Sequence, residues 1–167
     1  MKNVYLASLN PMHFSHRNTF LEAERQLNQK VFLCICQNAL KDGGLFTLEE
    51  RVEIAHKFYG IPREQIIMLS KKEEIISVIK NSTKIIRGIR SEKDLVEVKK
   101  LVEHYGVSED FKKVLFINVP DSMKLISSSL LISKIKLDTY SLAENWVPDQ
   151  LICLIKEKLN IKKLPSE

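Results

Sequence analysis

Glycine and proline are scarce in this sequence, with five of each in 167 residues. That scarcity argues against long disordered linkers. Apolar residues make up 44% and charged residues 28%, which is ordinary for a soluble globular protein. A chain of this length can bury a core without disulfides or metals. We therefore expect one domain over residues 1–167.

Cysteine is also rare, and Cys34, Cys36 and Cys153 are an odd number without a framework spacing. This argues against a secreted scaffold held by disulfides. Cys34 and Cys36 lie two residues apart, so on a strand they would point the same way. No further set of cysteines and histidines completes a zinc site, and we interpret both thiols as small buried side chains. No metal-ligating residues are therefore predicted.

Long apolar runs are missing as well. No stretch reaches about 18 apolar residues, so no segment is predicted to cross a membrane. The start MKNVYLASL is too short for a signal peptide and lacks a following cleavage pattern. The expected location is the reducing cytoplasm.

The charge balance is positive, at +5 with an isoelectric point near 9.0. Such a balance favours anionic partners such as phosphates, nucleotides or nucleic acid. The lysines are spread along the chain, however, and the sequence has neither a basic stripe nor a set of stacking aromatic residues. Nucleic-acid binding is therefore not predicted.

Five short apolar runs alternate with amphipathic patterns along the chain. The runs are residues 3–9, 30–36, 65–69, 84–89 and 113–119. Short, nearly continuous apolar strands that alternate with helices are typical of a parallel sheet covered on both faces. The predicted fold class is α/β, with a Rossmann-like parallel five-stranded sheet and helices on both faces.

The intervening patterns predict helices with recognisable ends. They are expected at residues 16–28, from about 48 to 60, at 71–81 and 91–106, from about 128, and from 148 to about 159. Thr47 and Glu50 have the spacing of a capping box, and Gly60 and Pro62 end the helix that it opens. The part of the domain from about residue 128 is predicted to be helical.

Ligands of parallel α/β sheets bind beyond the carboxyl ends of the strands. Four segments fall at that edge, at residues 8–16, 37–44, 87–91 and 120–129. In the first, His13 and His16 stand near a helix start, where free N–H groups and the helix dipole favour a bound anion. A solvent-facing pair, or one histidine capping the helix, is the alternative interpretation.

The other three segments also carry groups that bind anions. Lys41 is the cation of the second segment, and the alternative interpretation is that this lysine is only solvated. Arg87 and Arg90 flank Gly88 in the third, where they could hold phosphate or pair with nearby carboxylates. Three serines, 127–129, open a helix in the fourth, as a phosphate cradle or as a simple cap. Together the segments predict a site that handles phosphates by positioning and electrostatics.

Four motifs carry a resemblance to a known family: HFSH (13–16), LFTLEERVEIA (45–55), IIRGIR (85–90) and LISSSLL (125–131). In this order they resemble the bacterial phosphopantetheine adenylyltransferases of the HIGH-type nucleotidyltransferase superfamily. The resemblance implies transfer of the adenylyl group of ATP to 4′-phosphopantetheine, with Mg²⁺ on the phosphates. The products would be dephospho-coenzyme A and pyrophosphate, a step of coenzyme A biosynthesis. It also implies a homo-oligomer, typically a hexamer, and coenzyme A as a product-type ligand.

The same resemblance assigns roles to individual residues. His16 and Lys41 would be catalytic, His16 by stabilising charge on the α-phosphate. Ser8, Lys41 and Arg87 would bind phosphopantetheine. The residues assigned to the nucleotide are Ser8, Leu9, His13, His16, Gly88, Ile89, Arg90, Met123, Ser127, Ser128 and Ser129.

The chain departs from the family pattern at several positions. The family has glycine at Ser15, a catalytic lysine at Asp42, a glutamate at Val98 and a basic residue at Ile132. It also has glycine, phenylalanine and aspartate at Ala7, Leu9 and Asn10. Two alternatives follow from these departures. One is a nucleotidyltransferase with another phosphorylated acceptor, or with CTP instead of ATP. The other is a catalytically impaired relative that binds a nucleotide or coenzyme A.

Overall fold

The computed structural model describes residues 1–37 and 44–160. Within them, five strands alternate with six α-helices in the predicted order. The elements are β1 (Lys2–Ala7), α1 (Phe14–Leu27), β2 (Val31–Cys36), α2 (Leu48–Tyr59), β3 (Ile66–Leu69), α3 (Lys72–Asn81), β4 (Ser82–Ile89), α4 (Glu92–His104), β5 (Val114–Asn118), α5 (Ser128–Lys136) and α6 (Asp149–Lys158).

The strands form one parallel sheet in the order β3-β2-β1-β4-β5. The predicted fold class is therefore confirmed. The strand order reverses between β1 and β4, because β1 pairs with β2 on one side and with β4 on the other. Crevices at such a switch point are where α/β sheets bind their ligands.

Successive side chains of each strand point to opposite faces of the sheet, and each face has its own hydrophobic core. Tyr5 and Ile86 point to the core that packs under α1, α2, α5 and α6. Val4, Leu6 and Ile85 point to the core under α3 and α4. Cys34 is fully buried in this second core, as a small apolar side chain would be. No helix among the described residues is long and apolar enough to cross a bilayer.

Two element ends differ from the prediction near the first strand. Strand β1 ends at Ala7 rather than at residue 9, since Leu9 has a φ of 51°, which an extended strand does not allow. Helix α1 begins at Phe14 rather than His16, with His13 as its N-cap residue. The histidine pair therefore lies in the first turn of the helix, at its positive end.

The predicted capping box opens α2. The Thr47 hydroxyl accepts from the Glu50 amide at 3.2 Å, and the Glu50 carboxylate accepts from the Thr47 amide at 2.9 Å. Gly60 ends the helix with a φ of 70°, a conformation that favours glycine.

Removing the hydroxyl of this cap tests its contribution. Thr47→Ala is expected to lower the free energy of unfolding by about 1 kcal/mol, because the Glu50 amide loses its partner. Thr47→Ser keeps the hydroxyl and is expected to stay within a few tenths of a kcal/mol of the wild type. Urea denaturation measures both. Equal losses in the two variants would assign the effect to the threonine methyl group instead.

Candidate active site

A cleft of about 620 Å³ lies beyond the carboxyl ends of β1 and β4. All four predicted segments reach it, the second through Gln37 and Gly44. Nine predicted site residues line it: Ser8, His13, His16, Arg87, Gly88, Arg90, Ser127, Ser128 and Ser129. Lys41, predicted as catalytic and substrate-binding, lies outside the described residues. The structure thus brings the histidines, two arginines and the serine triplet to one site.

Three predicted contacts fall outside the cleft. Leu9 has a positive φ, and its side chain is buried in the core beneath the site, where it is only 1% exposed. Ile89 lines an adjoining hollow, because successive residues of a strand face opposite sides of the sheet and Gly88 faces the cleft. Met123 packs against the core under α5. The side chains of these three residues are therefore not part of the cleft lining.

The two histidines form a stacked pair at the start of α1. Their ring centroids are 3.7 Å apart and the ring planes differ by 21°. The main-chain N–H of His13 donates to Nδ1 of His16 at 3.2 Å. Since Nδ1 accepts, a neutral His16 ring carries its proton on Nε2. Nε2–H is thus available as a donor.

Both imidazoles are held neutral by their surroundings. Burial, and to a smaller extent Arg90, lower the pKa of His13 from 6.5 to about 3. Burial lowers the pKa of His16 well below 6.5, with further contributions from His13, Arg90 and Arg87. Nδ1 of His13 is buried and has no hydrogen-bond partner among the described atoms. At neutral pH, His16 therefore offers a hydrogen bond and not a preformed charge.

Arg87 and Arg90 are each fixed by a main-chain carbonyl. Nη1 of Arg87 donates to the Leu6 carbonyl of β1 at 2.9 Å. Nη1 of Arg90 donates to the Ile126 carbonyl at 3.1 Å, and its Nη2 lies 3.6 Å from the Asp94 carboxylate. Asp94 also accepts from the main-chain N–H of Arg90 at 2.6 Å. Arg87 is thus bonded to β1, and Arg90 is bonded to the residue that precedes the serine triplet.

The serines have both of the roles considered from the sequence. Ser127 is the N-cap of α5, since its hydroxyl accepts from the Leu130 amide at 3.2 Å. The Ser128 hydroxyl donates to the Pro11 carbonyl at 2.7 Å, which ties α5 to the loop before the histidines. Ser129 faces the cleft. The cap therefore places the free N–H groups of α5 against the cleft.

An apolar wall also lines the cleft. It consists of Ile75 and Ile79 of α3, Val98 and Leu101 of α4, and Tyr105, which follows α4. The cleft therefore has a polar half that suits phosphates and an apolar half that suits a hydrocarbon chain.

Lys134 does not supply the positive charge that is missing at position 132. Its Nζ lies 2.6 Å from the Glu144 carboxylate and 5.3 Å from the centre of the Trp146 ring. Ile132 lines the cleft instead. The pairing could not be foreseen because Glu144 reaches Lys134 only through the turn after α5.

One buried residue of the site, Arg51, was missed from the sequence. Its guanidinium lines the cleft, and the residue is 4% exposed. The sequence signal was its place in TLEER, in the first turn of α2, where the side chain can reach back to the ends of β1 and β2.

The acidic groups that line the cleft among the described residues are Asp94 and Glu97. Within residues 1–37 and 44–160, no group of three or more His, Cys, Asp or Glu residues could hold a metal ion. A cleft lined by Asp94 and Glu97 as its acidic groups fits a Mg²⁺ ion that phosphate oxygens and water would hold. This arrangement is common for nucleotide-bound Mg²⁺.

Comparisons with known proteins agree with this fold. The solved structures that resemble the chain include two of Plasmodium falciparum nicotinic acid mononucleotide adenylyltransferase. The complex with NaAD has 17% identity and a TM-score of 0.56, and the complex with APC has 16% and 0.55. Each comparison covers 96% of this chain and 97% of the other. At these identities the likeness shows the fold alone.

Sequence comparison identifies the family. No curated protein matches the chain significantly. The model of the cytidylyltransferase-like family matches residues 4–134, which include the histidine pair, both arginines and the serine triplet. The chain therefore belongs to the cytidylyltransferase-like family and is a nucleotidyltransferase.

Proposed function

We propose that this protein transfers the adenylyl group of ATP to 4′-phosphopantetheine, which gives dephospho-coenzyme A and pyrophosphate. The observation that carries the proposal is the meeting of His16, Arg90 and the α5 N-terminus with Arg87 in one cleft. These groups can hold a triphosphate on one side and a second phosphate on the other.

The residues support an in-line displacement without an enzyme nucleophile. An oxygen of the acceptor phosphate attacks the α-phosphorus, the bond to the bridging oxygen breaks, and pyrophosphate leaves with that electron pair. Nε2–H of His16 donates to a non-bridging α-phosphate oxygen, where charge grows in the transition state. Arg90 and the α5 N-terminus hold the leaving phosphates, and Arg87 holds the acceptor. Bound Mg²⁺ would neutralise phosphate charge.

The apolar wall supports phosphopantetheine as the acceptor. Ile75, Ile79 and Leu101 line the cleft next to the polar groups. Phosphopantetheine carries a long arm with apolar segments, which such a wall can cover. The two similar solved structures favour nicotinic acid mononucleotide as a second candidate acceptor. That molecule has no aliphatic arm, so the wall would gain little from it.

A substrate panel separates these acceptors. We expect pyrophosphate release with Mg-ATP and phosphopantetheine to be at least about tenfold faster than with nicotinic acid mononucleotide, since apolar burial adds binding energy to the first. CTP replaces ATP in a parallel series, and mixtures without acceptor are the blank. Faster release with nicotinic acid mononucleotide would replace phosphopantetheine as the acceptor. Tight coenzyme A binding in calorimetry with no turnover would point to the impaired relative instead.

The resemblance also leads us to propose a homo-oligomer, with a hexamer as the expected size. Sedimentation equilibrium tests it directly. A monomer at micromolar concentration would contradict it.

A further inference from the structure

Arg51 has an unusual position for an arginine, because it is buried beneath the cleft and held by neutral groups. Its Nε donates to the Phe46 carbonyl at 2.9 Å. Its Nη1 donates to the Ser8 carbonyl at 3.2 Å and lies 3.5 Å from the Cys36 carbonyl. The three carbonyls belong to the entrance of α2 and to the carboxyl ends of β1 and β2, so one side chain joins three parts of the site.

These contacts hold the guanidinium in place without cancelling its charge. No carboxylate of residues 1–37 or 44–160 lies within ion-pair distance of Arg51, whereas Arg90 has Asp94 beside it. Burial lowers the pKa of Arg51, yet a guanidinium remains protonated in proteins. Among the described residues, the partners of this buried guanidinium are neutral carbonyls, so its charge can attract an anion that enters the cleft.

Gly44 and the side chain of Asn10 lie close to the second nitrogen of the fork. A Cβ atom on Gly44 would lie 2.6 Å from Nη2 of Arg51 and 1.7 Å from Nδ2 of Asn10. Asn10 is held in turn, since its Oδ1 accepts from the Phe46 amide at 3.0 Å. Glycine at position 44 thus lets this segment approach the guanidinium closely.

The arginines that line the cleft among the described residues fall into two groups. Arg51 and Arg87 are both tied to carbonyls at the end of β1, those of Ser8 and Leu6. Arg90 is tied to Ile126 beside the serine triplet. A reaction that joins two phosphate-bearing reactants needs positive charge at two places, and this division supplies it.

We propose that Arg51 is a positioning residue for the acceptor, whose buried charge, together with Arg87, holds the acceptor phosphate at the end of β1. The inference rests on the proposed transfer to a phosphorylated acceptor and adds a residue to it. Arg51 acts through its field and through the Ser8 carbonyl, and the nucleotide phosphates stay with Arg90 and α5.

Arg51→Gln and Arg51→Lys test the role of the charge. Inorganic phosphate is the probe, titrated by calorimetry at constant ionic strength with saturating α,β-methylene-ATP to fill the nucleotide side. Arg51→Gln is expected to bind phosphate at least about tenfold more weakly, and Arg51→Lys about two- to fivefold more weakly, because an ammonium keeps the charge but lies further away. Arg63→Gln removes an exposed arginine and is the matched control, with unchanged binding.

Melting temperatures establish first that each variant is folded. Unchanged phosphate binding in folded Arg51→Gln overturns the proposal. If Arg51→Gln does not fold, Arg51→Lys becomes the test. Phosphate affinity that is unchanged in Arg51→Lys, or that falls more than about tenfold, overturns the proposal. In steady-state kinetics the acceptor KM should rise while the ATP KM changes less than about twofold. Absence of turnover with every acceptor, beside the expected phosphate result, contradicts only the proposed function.

Discussion

Replacing His16 with alanine is expected to lower turnover at least about a hundredfold, with little change in the KM for ATP. The reason is the neutral ring, since Nδ1 is occupied by the His13 amide and only Nε2–H can donate toward the cleft. A hydrogen bond of this kind strengthens as negative charge develops on the α-phosphate. A loss of a hundredfold corresponds to about 2.7 kcal/mol of transition-state stabilisation. Pyrophosphate release under saturating substrates measures it.

Amide substitutions separate the two nitrogens of His16. The amide group of glutamine lies near the position of Nε2, and that of asparagine near Nδ1. His16→Gln should therefore keep at least about tenfold more turnover than His16→Asn. His104→Ala, at the exposed end of α4, is the control for loss of a histidine elsewhere. Activity in His16→Ala close to that of the wild type would remove His16 from the mechanism.

Much of the fold could be predicted because its signals are local. The box of Thr47 and Glu50 fixes the start of α2 through contacts within one turn, and Gly60 fixes its end. Strand β4 contains an apolar run in which the consecutive side chains of Ile85 and Ile86 are buried on opposite faces of the sheet. The positions of His16 and Arg87 in the site followed from the rule that parallel strands end at one edge.

The remaining features depend on contacts between distant residues. Strand β1 ends before Leu9 although the apolar run continues to it, and the φ of Leu9 is positive. Lys134 is used by Glu144, and Arg51 is turned toward Ser8, 43 residues away along the chain. The neutrality of His13 arises from burial and from Arg90, 77 positions later. None of these follows from spacing, because each is set by which elements pack together.

The neutral histidine pair should also make the free protein sensitive to mild acid. An unfolded chain binds a proton at His13 near its ordinary pKa of 6.5, whereas the folded protein resists until about 3. Between these two values the unfolded state holds more protons, so stability falls as the pH falls. His13 alone contributes a slope of at most about 1 kcal/mol per pH unit in this window, and His16 acts in the same direction.

Comparing slopes isolates the histidine from carboxylates that also titrate in acid. The free energy of unfolding, measured in urea between pH 6.5 and about 4.5, is expected to fall by about 2 kcal/mol less in His13→Gln than in the wild type. The exposed His104 provides the control, and His104→Gln should keep the wild-type slope. Equal slopes in His13→Gln and the wild type would mean that His13 takes up its proton alike in the folded and unfolded chains. The two rings are stacked and share one electrostatic environment. That result would therefore also contradict a neutral His16 as the hydrogen-bond donor to the α-phosphate.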